Sequence, residues 1–386
     1  MRRRTAVVSV VLAAAALAPA AGPAVAAAPA APAARGADRA ALQHALDAVV
    51  AQGVPGAVAE VRDAGGVWRG GSGVADLADG RRAQAGDRFR AGSVTKSFVS
   101  AVVLQLVDEG EVRLDDPIGR HLPGLVPDGK DGAPVTVRQL LDHTSGIPNY
   151  TDVLQKRPDP LRSLQHSHYT PRELVDMALK EPRTFEPGEA GKWAYSNTNY
   201  VILGMLVEKR TGATLDQAIT RRIIRPLHLT GTSIPTSERL AGPHLHGYEQ
   251  FPGESAPTDY ADFSPTAFWG PGNLVSTTAD LNRFYRALAG GKLLPPHLWR
   301  EMNTLHDTDR GETRKYGLGL ESNSAYCPGE KPVWGHTGSV PGYNTFSFTS
   351  ADGKRQITLA LSKDMTKTEQ ADTAALKVLS TALCTK

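Results

Sequence analysis

The chain has 386 residues, 41% of them hydrophobic, 22% charged and 6% aromatic. That is enough apolar material for a sizeable core in two or three lobes, which excludes a disordered chain or a small scaffold needing staples. The 43 Lys and Arg against 40 Asp and Glu leave +3, and three of the positives are Arg2, Arg3 and Arg4. The rest of the chain is near neutral and makes no electrostatic case for a nucleic acid or an anionic membrane partner.

In chain order, Arg2–Arg4 form a positive start, Ala6 to Ala18 is apolar apart from Ser9, and small residues continue from Ala24 to Ala28. This is a signal-peptide pattern, and its apolar run is shorter than the roughly 20 residues a membrane span needs. Residues 1–34 are therefore expected to be a signal peptide and leader that is removed, leaving a secreted chain without a membrane anchor. Export also makes the cysteines readable. Two of them, Cys327 and Cys384, admit one pairing in an oxidising compartment, and a disulfide is expected rather than two buried thiols.

From Ala37 to Val50 apolar residues recur at helical spacing, and Gly53 with Pro55 stops the pattern. Val58 to Val61 and Val67 to Val74 read as a hairpin turning at Gly65-Gly66. Phe98, Val99, Val102, Val103, Leu106 and Val107 then mark a strongly amphipathic helix ending near Gly110. Helical pieces come next at Thr136 to Leu141, Pro171 to Leu179, Tyr200 to Thr211, Leu215 to Ile224 and Thr278 to Leu288, separated by Pro- and Gly-rich loops. Strand signals return at Pro332 to Trp334, Thr345 to Thr349 and Gln356 to Leu361, and Glu369 to Leu383 closes the chain as a helix. Strands at both ends with helices between them predict an α/β plus all-α fold: a mostly antiparallel sheet built from both chain ends, with flanking helices and an inserted helical domain. The predicted divisions are 35–110 and 311–386 for the two parts of the α/β domain and 111–310 for the insertion.

Three clusters carry chemistry. Ser93-Val-Thr-Lys96 starts the amphipathic helix, where i and i+3 share a face and free backbone N–H groups favour a developing anion. Its bland reading is a capping serine with a solvated lysine. Tyr195-Ser-Asn197 precedes an apolar helix; a phenol beside an amine can shuttle a proton, and an amide offers a donor and an acceptor. By itself that cluster reads as a loop. His336-Thr-Gly338-Ser339 comes after a β-prone pair; Gly338 permits close approach to backbone and the Ser339 N–H can face an oxyanion, while the plain alternative is a sheet-edge turn. His166 with His168, and His244 with His246, are the close histidine pairs, and neither has a third ligand at metal spacing, so no metal or cofactor is expected.

Ser-x-x-Lys, a polar triad about 100 residues on, and a Lys- or His-Thr-Gly triad near the C-terminus form, in that order, the motif set of penicillin-recognising serine enzymes. With Phe89 to Ser97, Leu140 to Gly146, Tyr195 to Asn199 and Tyr316 to Leu320, the sequence resembles the serine β-lactamase and penicillin-binding-protein superfamily over essentially the whole mature chain. Within it, the chain looks most like secreted actinobacterial D-alanyl-D-alanine carboxypeptidases. The resemblance implies Ser93 as nucleophile, Lys96 and Tyr195 as proton carriers, and the Ser93 and Ser339 N–H groups as oxyanion hole. It further implies that Asn197 holds the acyl-side amide, that His336 and Thr337 contact the leaving-group side, and that Trp269 lines an acyl pocket or else sits in the core. His143 is expected to brace a loop. In one departure, Glu321 stands after Tyr316-Gly-Leu-Gly-Leu320, where those carboxypeptidases place a basic residue for the substrate carboxylate. Lys331 and Arg314 are the candidate substitutes.

The function these residues imply is a secreted, monomeric serine D-Ala-D-Ala carboxypeptidase acting on peptidoglycan stem peptides and acylated by β-lactams. A class C-like β-lactamase, an esterase and a D-amino-acid amidase compete on the same fold. A catalytically silent penicillin or muropeptide binder is the non-enzymatic alternative.

Overall fold

The computed structural model describes residues 36–157 and 159–385. The expected export signal and leader fall outside the described residues. The strands are β1 (Gly56–Asp63), β2 (Gly66–Gly73), β3 (Phe89–Gly92), β4 (Tyr248–Glu249), β5 (Thr258–Asp259), β6 (Leu274–Ser276), β7 (His306–Asp307), β8 (Arg314–Tyr316), β9 (Glu321–Asn323), β10 (Val333–Val340), β11 (Tyr343–Thr349) and β12 (Gln356–Leu361). Eight form one sheet in the order β2-β1-β12-β11-β10-β9-β8-β7, and β3 pairs with β6 in a two-stranded piece. The two chain ends meet at the antiparallel β1–β12 pair, in register from Ala57 opposite Leu361 to Arg62 opposite Gln356.

Both faces of this sheet are covered, which explains why β12 and much of β1 are buried on every residue rather than alternating. On one face lie the first and last helices, Arg39–Ala51 and Glu369–Leu383, with Leu42, Leu46, Val49, Ala375 and Leu379 packed on Ala57, Ala59, Val61 and Leu359. Asp38 caps the first of these and Thr368 the second, each accepting from backbone N–H groups of the opening turn. The other face carries the larger core, in which Phe98 of the Thr95–Asp108 helix stacks on Phe284 of the Thr278–Ala289 helix at 3.8 Å between centroids. Sequence order alone puts the Thr278–Ala289 helix in the 111–310 insertion. It instead belongs to the sheet layer, because its Asn282 bonds Glu60 O (3.0 Å) on β1 and Thr358 Oγ1 (2.9 Å) on β12.

Cys327 and Cys384 form the disulfide, with Cα atoms 5.3 Å apart and a sequence separation of 57. It ties the end of the last helix to the segment leading into β10. In the chain-entropy view a loop of this length contributes about 4 kcal/mol. Denaturant unfolding with and without reductant should show a loss of that order; coincident midpoints would mean that the bridge constrains nothing.

Candidate active site

The Thr95–Asp108 helix starts without a side-chain cap. Ser93, in the turn before it, does not cap; its Oγ accepts from Lys96 Nζ at 2.9 Å and from the Tyr195 hydroxyl at 2.9 Å. Thr95 instead ties the turn down, donating to Gly92 O (2.6 Å) and accepting from Leu274 N (3.0 Å) on β6. Lys96 is fully buried, and its second bond runs to Pro271 O at 3.0 Å. Burial, reinforced by the Arg310 charge and only partly opposed by Glu321, drives the Lys96 ammonium well below its usual pKa. Burial raises the Tyr195 phenol, so it stays protonated. A neutral amine has a lone pair that can take the Ser93 proton across this 2.9 Å contact while an N–H stays on Pro271 O, which is what a serine nucleophile needs.

β10 passes this turn closely because two glycines allow it. A Cβ on Gly338 would lie 2.0 Å from Ala91 O, and one on Gly92, whose φ is +55°, would lie 2.6 Å from Ser339 N. The Ser339 nitrogen thus lies against Gly92 and the Ser93 nitrogen against Gly338, where a Cβ would stand 3.4 Å from it. β9 pairs with β10 only from Val333 to Gly335, so beyond it β10 pairs with β11 alone and its other edge is left for the Ala91–Ser93 turn. His336-Thr-Gly338-Ser339 is thus the interior of a strand, not a turn at its end.

Other predicted residues are placed unevenly. Asn197 opens the Asn197–Thr211 helix, its backbone N–H on Asn149 Oδ1 (3.0 Å) and its amide nitrogen on Thr151 Oγ1 (3.2 Å). Thr337 is half-open, but its hydroxyl donates to Glu321 Oε1 at 2.8 Å. His336 departs from expectation: it is fully buried, with Nε2 on the Tyr316 hydroxyl (2.9 Å) and Nδ1 on Thr337 O (2.5 Å). Burial pushes it down to about 4, against the pull of Glu321, so at neutral pH it is an uncharged strut under the strand rather than a cation facing a ligand. The Trp269 ring lies against the Asn197–Thr211 helix, where a Cβ on Gly204 would meet it at 2.9 Å, and packs on the large core. The indole is half-buried, one side on the core, and the nearby Pro271 carbonyl reaches Lys96. His143, at φ +66°, braces the Tyr195 loop as expected: Nδ1 accepts from Ser196 N and Asn199 Nδ2, both at 3.2 Å, and its ring lies 4.4 Å from that of Tyr195.

Two features are not legible in the sequence. Arg310, in the turn between β7 and β8, lays its guanidinium over the Tyr195 ring at 4.2 Å and comes within 3.9 Å of Glu321 Oε1. It, rather than Lys331 or Arg314, is the cation over the Tyr195 ring. Glu321 itself points inward. Burial works to raise its carboxyl, but His336 when protonated, the Arg310 and Arg314 charges and the Thr337 hydroxyl outweigh it and hold the group below the usual carboxylate range. An anion thus occupies the side of the site on which Thr337 lies. No sequence signal marks Arg310, which lies in the loop between the paired strands β7 and β8.

A Ser–Lys–Tyr cluster at a helix start, its lysine buried and its serine and tyrosine half-buried, beside a glycine-opened strand and between a sheet layer and helices, defines a serine hydrolase of the β-lactamase and penicillin-binding-protein type. The chain belongs to the β-lactamase family, whose model matches residues 39–382. It is similar to penicillin-binding protein 4* of Bacillus subtilis (28% identity over 314 residues, 78% of this chain and 66% of that protein). It also matches penicillin-binding protein 4 of Amycolatopsis lactamdurans (32% over 255 residues, 64% of this chain and 63% of that protein). The chain therefore spans just under two thirds of the length of these curated relatives. Among solved structures it is similar to a D-stereospecific amidohydrolase from a Streptomyces species (38% identity, 88% of this chain and 98% of that one, TM-score 0.78). A D-amino acid amidase from Ochrobactrum anthropi, solved with L-phenylalanine amide, is similar at 27% identity (89% of this chain and 97% of that one, TM-score 0.78). Among the described residues no helix is long and apolar enough to cross a membrane.

Proposed function

We propose that this chain is a D-stereospecific serine amidohydrolase: it forms an acyl-enzyme on Ser93 from D-configured amides and esters whose leaving group carries no charge. The observation that carries this reading is the buried Glu321 carboxylate on Thr337, 2.8 Å from its hydroxyl. A substrate ending in a free carboxylate has to bring a second negative charge to a Thr337 already engaged by one, and like charges in a dry site repel strongly. A departing ammonia, amine or alcohol meets no such opposition. The names of two similar solved structures, a D-stereospecific amidohydrolase and a D-amino acid amidase, agree with this choice.

In the proposed reaction Ser93 Oγ attacks the acyl carbon while neutral Lys96 takes its proton. Negative charge on the acyl oxygen falls between the Ser93 and Ser339 N–H groups, which are already in position and need no reorganisation. Tyr195, bonded to Oγ and kept protonated, hands its proton to the leaving nitrogen or oxygen and is replenished from Lys96. Water then attacks the ester by the same route reversed. The signal-peptide pattern of residues 1–34 supports a reading in which the protein is exported and acts outside the cytoplasm.

A second reading, D-Ala-D-Ala carboxypeptidase, is favoured by Arg310, whose guanidinium sits over Tyr195 and offers a substrate carboxylate a partner. The two separate on one comparison. The amidohydrolase reading expects kcat/KM for N-acetyl-D-phenylalanine amide to exceed that for an N-acyl-D-Ala-D-Ala peptide by about tenfold or more, the order of one unrelieved charge contact. It also expects Glu321→Gln to narrow that gap and to speed acylation by penicillin, whose carboxylate suffers the same repulsion. The dipeptide-ended substrate winning in the wild type, with Glu321→Gln changing nothing, establishes the carboxypeptidase instead.

A further inference from the structure

Ser339 leads from the oxyanion position to a carboxylate that the chemistry above does not use. Its N–H stands at the Gly92–Ser93 turn, and its hydroxyl donates to Asp364 Oδ2. Asp364 lies on the turn after β12, and 11% of its side chain is open. That turn is clamped by Glu249 of β4, which is fully buried. Glu249 accepts from the backbone N–H groups of Asp364 (3.1 Å), Met365 (2.9 Å) and Thr366 (2.9 Å), from the Thr366 hydroxyl (2.7 Å), and from Gly342 N (3.0 Å) at the β10–β11 turn. A buried carboxylate satisfied by five donors is a positioning device. Here it locks the Asp364 turn against the end of β10, so the second carboxylate is held at a fixed place beside Ser339.

The charged groups facing Asp364 are few. Lys367 Nζ is 3.8 Å away, but it is closer to Asp372 (2.7 Å) and Asn344 Oδ1 (3.0 Å). Glu249 and Asp372 are like charges. Burial, helped by these two and opposed by the Ser339 hydrogen bond and Lys367, pushes the Asp364 carboxyl up to about 6. It is an anion at neutral pH whose nearest cation is shared with another acid.

We infer that Asp364 is a specificity-determining residue that receives the free α-ammonium of a D-aminoacyl substrate. The inference rests on the acyl-enzyme reading above and extends it to the acyl side. With the acyl oxygen on the Ser93 and Ser339 N–H groups, the α-carbon is one bond from the acyl carbon. Its nitrogen then comes to the Ser339 edge of β10, where the hydroxyl and the carboxylate together form an acceptor pair for N–H donors. A blocked nitrogen, uncharged and bulkier, gains nothing from the carboxylate. The substrate class is thus unblocked D-amino acid amides and esters.

The test is the ratio of kcat/KM for D-phenylalanine amide to that for N-acetyl-D-phenylalanine amide, measured on the full chain across pH. At pH 7 the ratio should favour the free amine by about tenfold or more, the order of one hydrogen-bonded charge pair. It should fall below about pH 6 as Asp364 takes a proton, and again above about 7.7, where an α-amino group loses its own. Asp364→Asn should lower the ratio by about tenfold and remove its acid limb. Lys367→Met, which deletes the opposing cation, should move that limb to higher pH. An Asp364→Asn protein with the wild-type ratio and pH profile overturns the inference, as does a wild type that prefers the blocked amide throughout. If Asp364→Asn does not fold, the wild-type profile and the Lys367→Met shift decide. The leaving-group reading is judged separately, by the Glu321 comparison on N-acetylated substrates, so the two can fail independently.

Discussion

Ser93→Ala should abolish turnover of every amide and ester substrate, a loss of about 10,000-fold or more in kcat, the scale seen when the nucleophile of a serine hydrolase is removed. The fold should survive, because the helix after it starts without a side-chain cap and Ser93 contributes none. The Thr95 bonds to Gly92 and Leu274 hold the turn and remain in the variant. Steady-state kinetics with a D-phenylalanine p-nitrophenyl ester, alongside a thermal melt, measures both parts. Residual turnover within tenfold of wild type, in a protein with an unchanged melt, removes Ser93 from its role.

Lys96→Met should be nearly as damaging, about 1,000-fold in kcat/KM, the range for losing a positioned general base. The thioether fills most of the same buried space without a basic nitrogen. In the wild type the acid limb of kcat/KM reports Lys96. Burial and Arg310 lower its pKa, so the neutral, competent amine persists to lower pH than an ordinary lysine would allow, and activity falls as pH drops through the shifted value. Arg310→Gln removes one of the two depressing causes and should move this limb to higher pH. A limb that stays in place in Arg310→Gln, or a Lys96→Met enzyme within tenfold of wild type, contradicts Lys96 as the base.

Local patterns in the sequence carry much of the fold and the centre of the site. Ser93 and Lys96 share a helix face by spacing alone, and the 98–107 apolar repeat announces that helix. Strands near both termini foretell the β1–β12 pairing, and two cysteines in a chain with an export pattern foretell their bridge. Short strands carry no such pattern: β3 and β6 have four and three residues, too few for alternation to register.

Side-chain direction is harder to read than position. His336 reads as a contact for the leaving-group side, yet the alternation of β10 turns it into the interior, where Tyr316 and the strand carbonyl at Thr337 occupy its nitrogens. Glu321 is visible as a departure from the related pattern, but its contact with Thr337 depends on the β9–β10 register, Gly335 opposite Glu321, which no local signal encodes. Arg310 and Asp364 sit on turns whose placement is set by contacts far along the chain, with Tyr195 and Glu321 for one and with Glu249 for the other. Such residues become legible only once the strands that carry their loops have been paired.

The most direct measurement of the central claim is a rapid acid quench of excess enzyme with an N-acyl-D-phenylalanine p-nitrophenyl ester, then digestion and mass mapping. The account predicts a transient peptide heavier by the acyl group, with the added mass on Ser93, forming in step with release of nitrophenol and absent with the L-ester. Nitrophenol released with no covalent species at any time, or an adduct on another residue, would contradict it.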